Sequence, residues 1–431
     1  MSDLRNRLER FFGPAPERKR EQRQDRAYGE PGEERGQNGT PDAVSPHRRE
    51  KGAAVGEFLG VRGLPEGKWL RRGVYLVESR HSLEEPHGTV LLRGLGESGV
   101  ALSCWGGGSA PVFFDLETTG LAGGTGTYAF LAGVGRLEED DFVVRQLFLA
   151  SPAFESEWLE MLEELLAEGT SLVSYNGRAY DVPLLQTRFA LARRTSFLEE
   201  LPHLDLLRLS RGVWKGDLES FRLVEVEKHV LRFVRGEKDV PGALVPELYG
   251  TYLRSGNAAM LDGVFLHNRW DILSLAALQS LLGRIVSGGG AEARDCLRAG
   301  RLWALAGEMG KASHFWRKAG EDPTQRSEAF RCLAQAAARR KEWPAAEEFW
   351  RASLSGGGLS LVPLVELSKI WEHRLRDVDK ALVFAEEALR LFLGHRAYLP
   401  GPLWERQRMD LRKRVERLRR RVAQQGLQQE R

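Results

Sequence analysis

The stretch that most restricts the fold is Pro111-Val112-Phe113-Phe114-Asp115-Leu116-Glu117-Thr118-Thr119-Gly120, an apolar run that delivers two carboxylates two residues apart and then stops at a turn. In a strand successive side chains alternate faces, so Asp115 and Glu117 project on one side while Phe114 and Leu116 point into packing. Two acids on one rigid face make half of a hard-cation site. Alone, the pair reads as a solvated acidic edge, and the remaining segments have to decide.

The composition sets the frame for that decision. At 431 residues, 42% apolar and 29% charged, the chain is long enough for two or three domains with proper cores. Its formal charge of +3, from 63 basic and 60 acidic residues, is too balanced to reveal a polyanionic partner, so a nucleic-acid footprint has to come from local clustering. Cys104, Cys296 and Cys332 are widely spaced and form no Cys-x-x-Cys pair, which argues against a disulfide framework or zinc site and fits a reducing cytosol. No apolar run approaches the roughly 18 to 20 residues of a membrane span, and the start, Met1-Ser2-Asp3-Leu4-Arg5, lacks the apolar core of a signal peptide. The expectation is a soluble cytoplasmic protein without a membrane partner.

Along the chain, residues 1–52 are expected to be mostly disordered, because 14–52 is rich in Arg, Glu, Gln, Gly and Pro and cannot bury enough surface to offset chain entropy. Residues 53–105 form a β-rich lead-in with strands near Gly73–Val77 and Thr89–Leu92. A domain over 106–286 follows. After the opening strand come a glycine-rich loop at Leu121–Thr127, strands at Tyr128–Gly135 and Phe142–Ala150 joined as a hairpin, and a helix signalled by Ser151-Pro152. A buried strand at Ser171–Tyr175, a helix beginning near Asp181, a strand at His203–Leu207 and helical patterns over 218–284 complete it. That order predicts an α/β fold with a mixed sheet flanked by helices. Beyond the glycines at 288–290 everything is helical. Ala312 with Phe315-Trp316-Arg317, Ala346 with Phe349-Trp350-Arg351 and Ala381 with Phe384 recur at the period of a tetratricopeptide-like helix pair, so 291–395 reads as all-α repeats. A basic helix over 396–431 ends the chain, readable as a nucleic-acid clamp or as a solvated capping helix.

Two further segments supply carboxylates. In Tyr175-Asn176-Gly177-Arg178-Ala179-Tyr180-Asp181 a strand ends in a tight turn and Asp181 opens a helix. In His267-Asn268-Arg269-Trp270-Asp271 the His and Asp are four apart and share a helix face. Four acids from three elements can therefore converge.

In type, order and spacing, Asp115-x-Glu117-Thr118-Thr119-Gly120, Asn176-Gly177 with Asp181, and Asp271 resemble the three motifs of the DnaQ-like, or DEDD, 3′–5′ exonucleases, which have a ribonuclease H-like fold. The closer likeness is to the YprB ribonuclease H-like family, carried by Gly123–Thr127, Arg145-Gln146, His203–Leu207, Val240-Pro241-Gly242 and His267-Asn268 through Ser274-Leu275. It covers 111–284, and the helical repeats also look like those that accompany this domain. The resemblance implies that Asp115, Glu117, Asp181 and Asp271 hold two divalent ions, Mg²⁺ or Mn²⁺. It further implies catalysis by Glu117 and His267, substrate contacts by Thr118, Thr119, Gly120, Asn176 and Gly177, and 3′–5′ hydrolysis of DNA or RNA by a two-metal mechanism. A His here occupies the spacing at which the tyrosine-type members place Tyr. The alternatives are a non-catalytic scaffold that binds nucleic acid, or proteins through its repeats, and endonucleolytic cutting by the same site.

Overall fold

The computed structural model describes residues 60–120, 126–288, 292–354, 360–394 and 401–429. The segment expected to be disordered, 1–52, and most of the glycine loop at Leu121–Thr127 lie outside these residues. The architecture is a seven-stranded mixed sheet flanked by helices, followed by an all-helical region, as the sequence predicts. Among the described residues no helix is long and apolar enough to cross a membrane.

The sheet uses β1 (Lys68–Arg71), β2 (Val74–Ser82), β5 (Pro111–Thr118), β6 (Ala129–Glu138), β7 (Asp141–Leu149), β8 (Ser171–Ser174) and β9 (His203–Asp205), in the order β1-β2-β7-β6-β5-β8-β9. From β1 to β5 neighbouring strands are antiparallel, whereas β5, β8 and β9 are parallel. The lead-in is thus woven into the sheet, since β2 pairs with β7 along its whole length. A two-stranded hairpin, β3 (Pro86–His87) with β4 (Val90–Leu91), and helix α1 (Leu95–Ala101) stand beside it. Strand alternation decides what β5 faces. Val112, Phe114 and Leu116 enter a core with Phe130, Phe148 and Trp158, the last from α2 (Glu155–Ala167). Phe113 enters the opposite core with Phe142 and Ile272, the last from α7 (Asp262–Val286), and Asp115 and Glu117 continue that face.

Helices α3 (Asp181–Leu191), α4 (Leu206–Val213), α5 (Leu223–Val226), which runs into a π turn at Glu227–Leu231, and α6 (Val245–Ser255) fill the remaining connections. One expectation needs correcting. Leu206-Leu207 do not extend the strand begun at His203, because the Asp205 carboxylate accepts from the Leu207 N–H at 3.1 Å and caps α4 at that point.

The helical region comprises α8 (Ala293–Leu305), α9 (Met309–Glu321), α10 (Pro323–Arg339), α11 (Trp343–Leu354), α12 (Leu361–His373), α13 (Val378–Gly394) and α14 (Gly401–Gln429). Ala312, Ala346 and Ala381 lie on α9, α11 and α13, and all three are fully buried, as are Trp316 and Trp350 to within a few per cent. The close helix approach is explicit at Gly300, where a Cβ would lie 2.3 Å from the Trp316 ring. The arginines of α14 are partly committed inside the fold. Arg414, Arg417 and Arg421 converge on Glu372 of α12, whose side chain is wholly buried, and Arg419 pairs with Glu386.

Arg417, bonded to Glu372, holds that carboxyl down at about 2 from its ordinary 4.5. A depressed acid contributes stability that is complete above its unfolded value and is lost as pH falls through the folded one. Glu372→Gln should therefore lower stability at neutral pH by on the order of 3 kcal/mol. Its cost should shrink between about pH 4.5 and pH 2 in thermal melts; an undiminished cost in acid would assign the loss to packing instead.

Candidate metal centre

The site is built where α7 crosses β5. Asn268, fully buried on α7, donates through Nδ2 to the Asp115 carbonyl (3.3 Å) and to its Oδ2 (3.2 Å), while Gln146 of β7 donates to Asn268 Oδ1 (3.0 Å) and to the Phe265 carbonyl (2.7 Å). The approach depends on Gly133, opposite Asp115 on β6. A Cβ there would come within 2.4 Å of Asn268 Oδ1. With the helix so fixed, His267 and Asp271 stand one turn apart over Glu117. These three residues each offer a ligand atom within 4.8 Å of the others.

Asp181 arrives from the other side, as the first residue of α3. The turn before it is held by Asp205, whose carboxylate accepts from the Asn176 N–H (2.9 Å) and the Arg178 N–H (3.4 Å). Asn176 takes a left-handed φ of 68°, which Asn tolerates better than most residues. At Gly177 a Cβ would lie 2.4 Å from Ser174 Oγ and 3.0 Å from Asp181 Oδ2. Asn176 and Gly177, expected to touch substrate, thus shape the turn that presents Asp181. Thr119 clasps the neck of the glycine loop: its N–H donates to the Tyr128 carbonyl (2.9 Å), and its Oγ1 accepts from the Tyr128 N–H (2.9 Å). Thr118 Oγ1 donates to the Gly120 carbonyl (2.9 Å).

Asp115, Glu117 and Asp181 each carry the mark of burial and of the neighbouring acids. Burial, then Asp271, Asp181 and Glu117, push the Asp115 carboxyl well above its ordinary range. Burial raises Glu117 to about 7 despite the pull of His267, and burial raises Asp181 to about 7, with Asp205 and Asp271 adding to it. Glu117 Oε1 is buried with no hydrogen-bond partner. A low-dielectric pocket with surplus carboxylate and an orphaned oxygen lacks positive charge.

Sequence reasoning missed an arginine that reaches this group. Arg235, in the loop after the π turn, bonds Asp271 Oδ1 and is gripped by buried Glu227, whose oxygens accept from Arg235 Nε (2.7 Å) and Nη2 (2.6 Å). Ser274 Oγ donates to Glu227 Oε1 (2.6 Å), and the ring N–H of His87 donates in turn to Ser274 Oγ (2.7 Å). Burial, helped by Arg235, lowers His87 to about 4, so that ring is neutral at physiological pH. His267 Nδ1 lies 2.7 Å from Asp239 Oδ1 and 3.0 Å from Arg235 Nη1. The shorter contact assigns the ring proton to Nδ1, which donates to the Asp239 carboxylate; Arg235, a donor only, then makes no hydrogen bond to that nitrogen. Nε2 then carries the lone pair and faces Asp271 Oδ2 at 3.5 Å. Burial pushes the His267 pKa down, Asp271 and Glu117 pull it up, and the net shift is upward.

Arg235 and Glu227 form one buried unit, so breaking it is worse than removing it. Arg235→Met should cost about 3–5 kcal/mol in urea unfolding, and adding Glu227→Leu should restore more than half of that. Strictly additive losses in the double-mutant cycle would show that the two side chains do not act as a pair.

A family profile described as RNase_H superfamily matches residues 112–283, the span from β5 to the end of α7. The chain is 33% identical over 288 residues, 64% of its own length and 68% of the other's, to the "Uncharacterized protein YprB" of Bacillus subtilis (strain 168). The match extends beyond the 172 residues of the profile, and the fold points to nuclease chemistry on nucleic acid. The chain belongs to the YprB family, and its α/β body is a ribonuclease H superfamily domain.

Proposed function

We propose that this protein is a metal-dependent 3′–5′ exonuclease acting on DNA or RNA. The observation that supports the reading is the group Glu117, His267 and Asp271, whose ligand atoms lie within 4.8 Å of one another around the orphaned Glu117 oxygen, with Asp115 and Asp181 within electrostatic reach of it. Their chemistry fits hard divalent cations, which prefer carboxylate oxygen and would supply the positive charge the pocket lacks. Asp115, Glu117, Asp181 and Asp271 would hold two ions, Mg²⁺ or Mn²⁺. When bound, such ions supply Lewis-acid activation of water and of the phosphodiester phosphorus.

The chain's own groups do the rest. Asp239 fixes the His267 tautomer, leaving Nε2 free to take the proton of the attacking water as the phosphorus–oxygen bond to the upstream 3′-oxygen breaks. The leaving 3′-oxygen gains a proton from solvent, and a 5′-mononucleotide departs. Arg235 is held off the substrate by Glu227 and serves to orient Asp271. The neck formed by Thr118, Thr119 and Gly120 would receive the terminal nucleotide. The helical hairpins, read as tetratricopeptide-like repeats, are a surface for a protein partner.

Purified protein with 5′-labelled single strands and duplexes of DNA and RNA, in Mg²⁺, Mn²⁺ or EDTA, should give stepwise, metal-dependent shortening from the 3′ end. Asp115→Asn should slow it by about 10³-fold or more. Internal cuts in place of a ladder would make the activity endonucleolytic, and equal rates for wild type and variant would leave a non-catalytic scaffold.

Metal binding has a separate readout. An acid whose folded pKa is raised gives stability below its unfolded value that is lost as pH rises through the folded one. For Glu117 that window runs from 4.5 to about 7, and for Asp181 from 3.8 to about 7. The metal-free chain should thus weaken across it, and Mn²⁺ should raise the melting temperature more at about pH 8 than at about pH 6. A Mn²⁺ effect that is equal at both, or that survives Asp115→Asn with Asp271→Asn, would place the ion elsewhere.

A further inference from the structure

We propose that the cleft between the ribonuclease H body and the first helix hairpins binds the phosphate backbone of a nucleic-acid strand at a distance from the carboxylate cage. The cleft encloses about 1100 Å³ between the segment after α4, the end of the π turn, the C-terminal turn of α7, and helices α8 and α10. Seven Lys or Arg side chains line it against four acidic ones. Arg298, Arg301 and Arg331 are neutralised by Asp217, Asp295 and Glu328. Lys215, Arg232, Arg284 and Arg294 are exposed and make no ion pair among the described residues. They come from four separate backbone segments, so together they outline an extended surface.

Arg232 adds a second observation. It holds a left-handed φ of 58°, a conformation that costs a residue with a Cβ on the order of 1 kcal/mol, and its exposed side chain lines the cleft with no ion pair among the described residues. The occupant follows from the chemistry. Guanidinium forks match phosphate oxygens, and backbone contacts of this kind carry no sequence requirement. A folded protein partner would need a large exposed apolar anchor, but Trp214 and Leu297 of the lining are 2% and 5% exposed, and Leu218, Val230 and Leu281 are half-buried against the core, while the exposed side chains of the lining are mostly charged. Arg284 follows Asp271 by thirteen residues on α7, about 20 Å along the axis, or roughly six nucleotide steps. A strand whose end lies in the cage reaches the cleft only if it is longer than that.

The proposal shares with the exonuclease reading the idea that a strand end enters the cage, so its test reads binding, not cleavage. The full chain in EDTA is titrated into labelled single strands of roughly 4 and roughly 16 nucleotides, followed by fluorescence anisotropy, beside the triple variant Arg232→Gln, Arg284→Gln, Arg294→Gln. The variant should bind the long strand at least about tenfold more weakly, keep the wild-type affinity for the short one, and lose about 2 units from the slope of log K against log salt. These exposed substitutions leave the core intact, which a thermal melt checks. Equal affinity of variant and wild type for the long strand overturns the proposal. So does competition by millimolar inorganic phosphate, which marks a small-anion site, or by poly-glutamate as well as by polynucleotide, which marks an acidic protein partner. A wild type that binds but cuts nothing in metal overturns the exonuclease reading and leaves this one standing.

Discussion

Carboxylates buried side by side repel one another and resist losing water, and the rest of the body answers to that constraint. Asp115 and Glu117 sit on β5, the strand at which the antiparallel meander gives way to the parallel pair β8 and β9. Such a change of direction is where open sheets leave a crevice at strand ends. Hydrogen bonds on both flanks keep β5 from yielding to the repulsion. Asn268, itself anchored by Gln146, fixes the Asp115 carboxylate, and the Asp205-braced turn fixes Asp181. The acids are thus held by groups that are not themselves acids of the cage, which is what preorganisation for a cation requires.

The same constraint explains why the lead-in belongs to the site as well as to the sheet. Its hairpin supplies His87, which reaches Asp271 only through Ser274, Glu227 and Arg235. Each member of this buried relay satisfies the next: neutral His87 donates to a serine, the serine to a carboxylate, and the carboxylate holds the arginine. Arg235 then stands beside Asp271 with its charge already shared with Glu227, so it orients the acid without cancelling the cage's deficit of positive charge.

What was legible in the sequence follows from range. Asp-x-Glu in a strand and His-x-x-x-Asp in a helix are local periodicities, and Asp115, Glu117, His267 and Asp271 could be placed from them. The start of α3 at Asp181 was visible as a turn followed by an apolar helical pattern. Arg235 and Glu227 were not, because an arginine in an irregular loop and a glutamate in a π turn have no period, and their pairing with Asp271 and Ser274 spans 36 and 47 residues. The misreading of Leu206-Leu207 as strand has the opposite cause: a three-residue strand passes straight into an apolar helix, and only the Asp205 cap marks the change. Asn176 and Gly177 were legible as a tight turn, but that this turn is braced by Asp205 and presents Asp181 depends on a contact 29 residues away.

Net charge concealed the most. A balance of 63 basic against 60 acidic residues suggests a chain with no electrostatic direction, yet the charges are sorted in space. Asp115, Glu117 and Asp181, which make no ion pair among the described residues, gather near the N-terminal half of α7, while cations with no ion pair among the described residues gather at its C-terminal end. The most basic stretch of the sequence, α14, lends several of its arginines to Glu372 and Glu386 and so acts as an internal fastener. Local density of Lys and Arg along a chain is therefore a poor guide to where a polyanion meets the fold. What counts is which cations remain unpaired after packing, and here those on the cleft wall come from short, scattered segments that no linear pattern would single out.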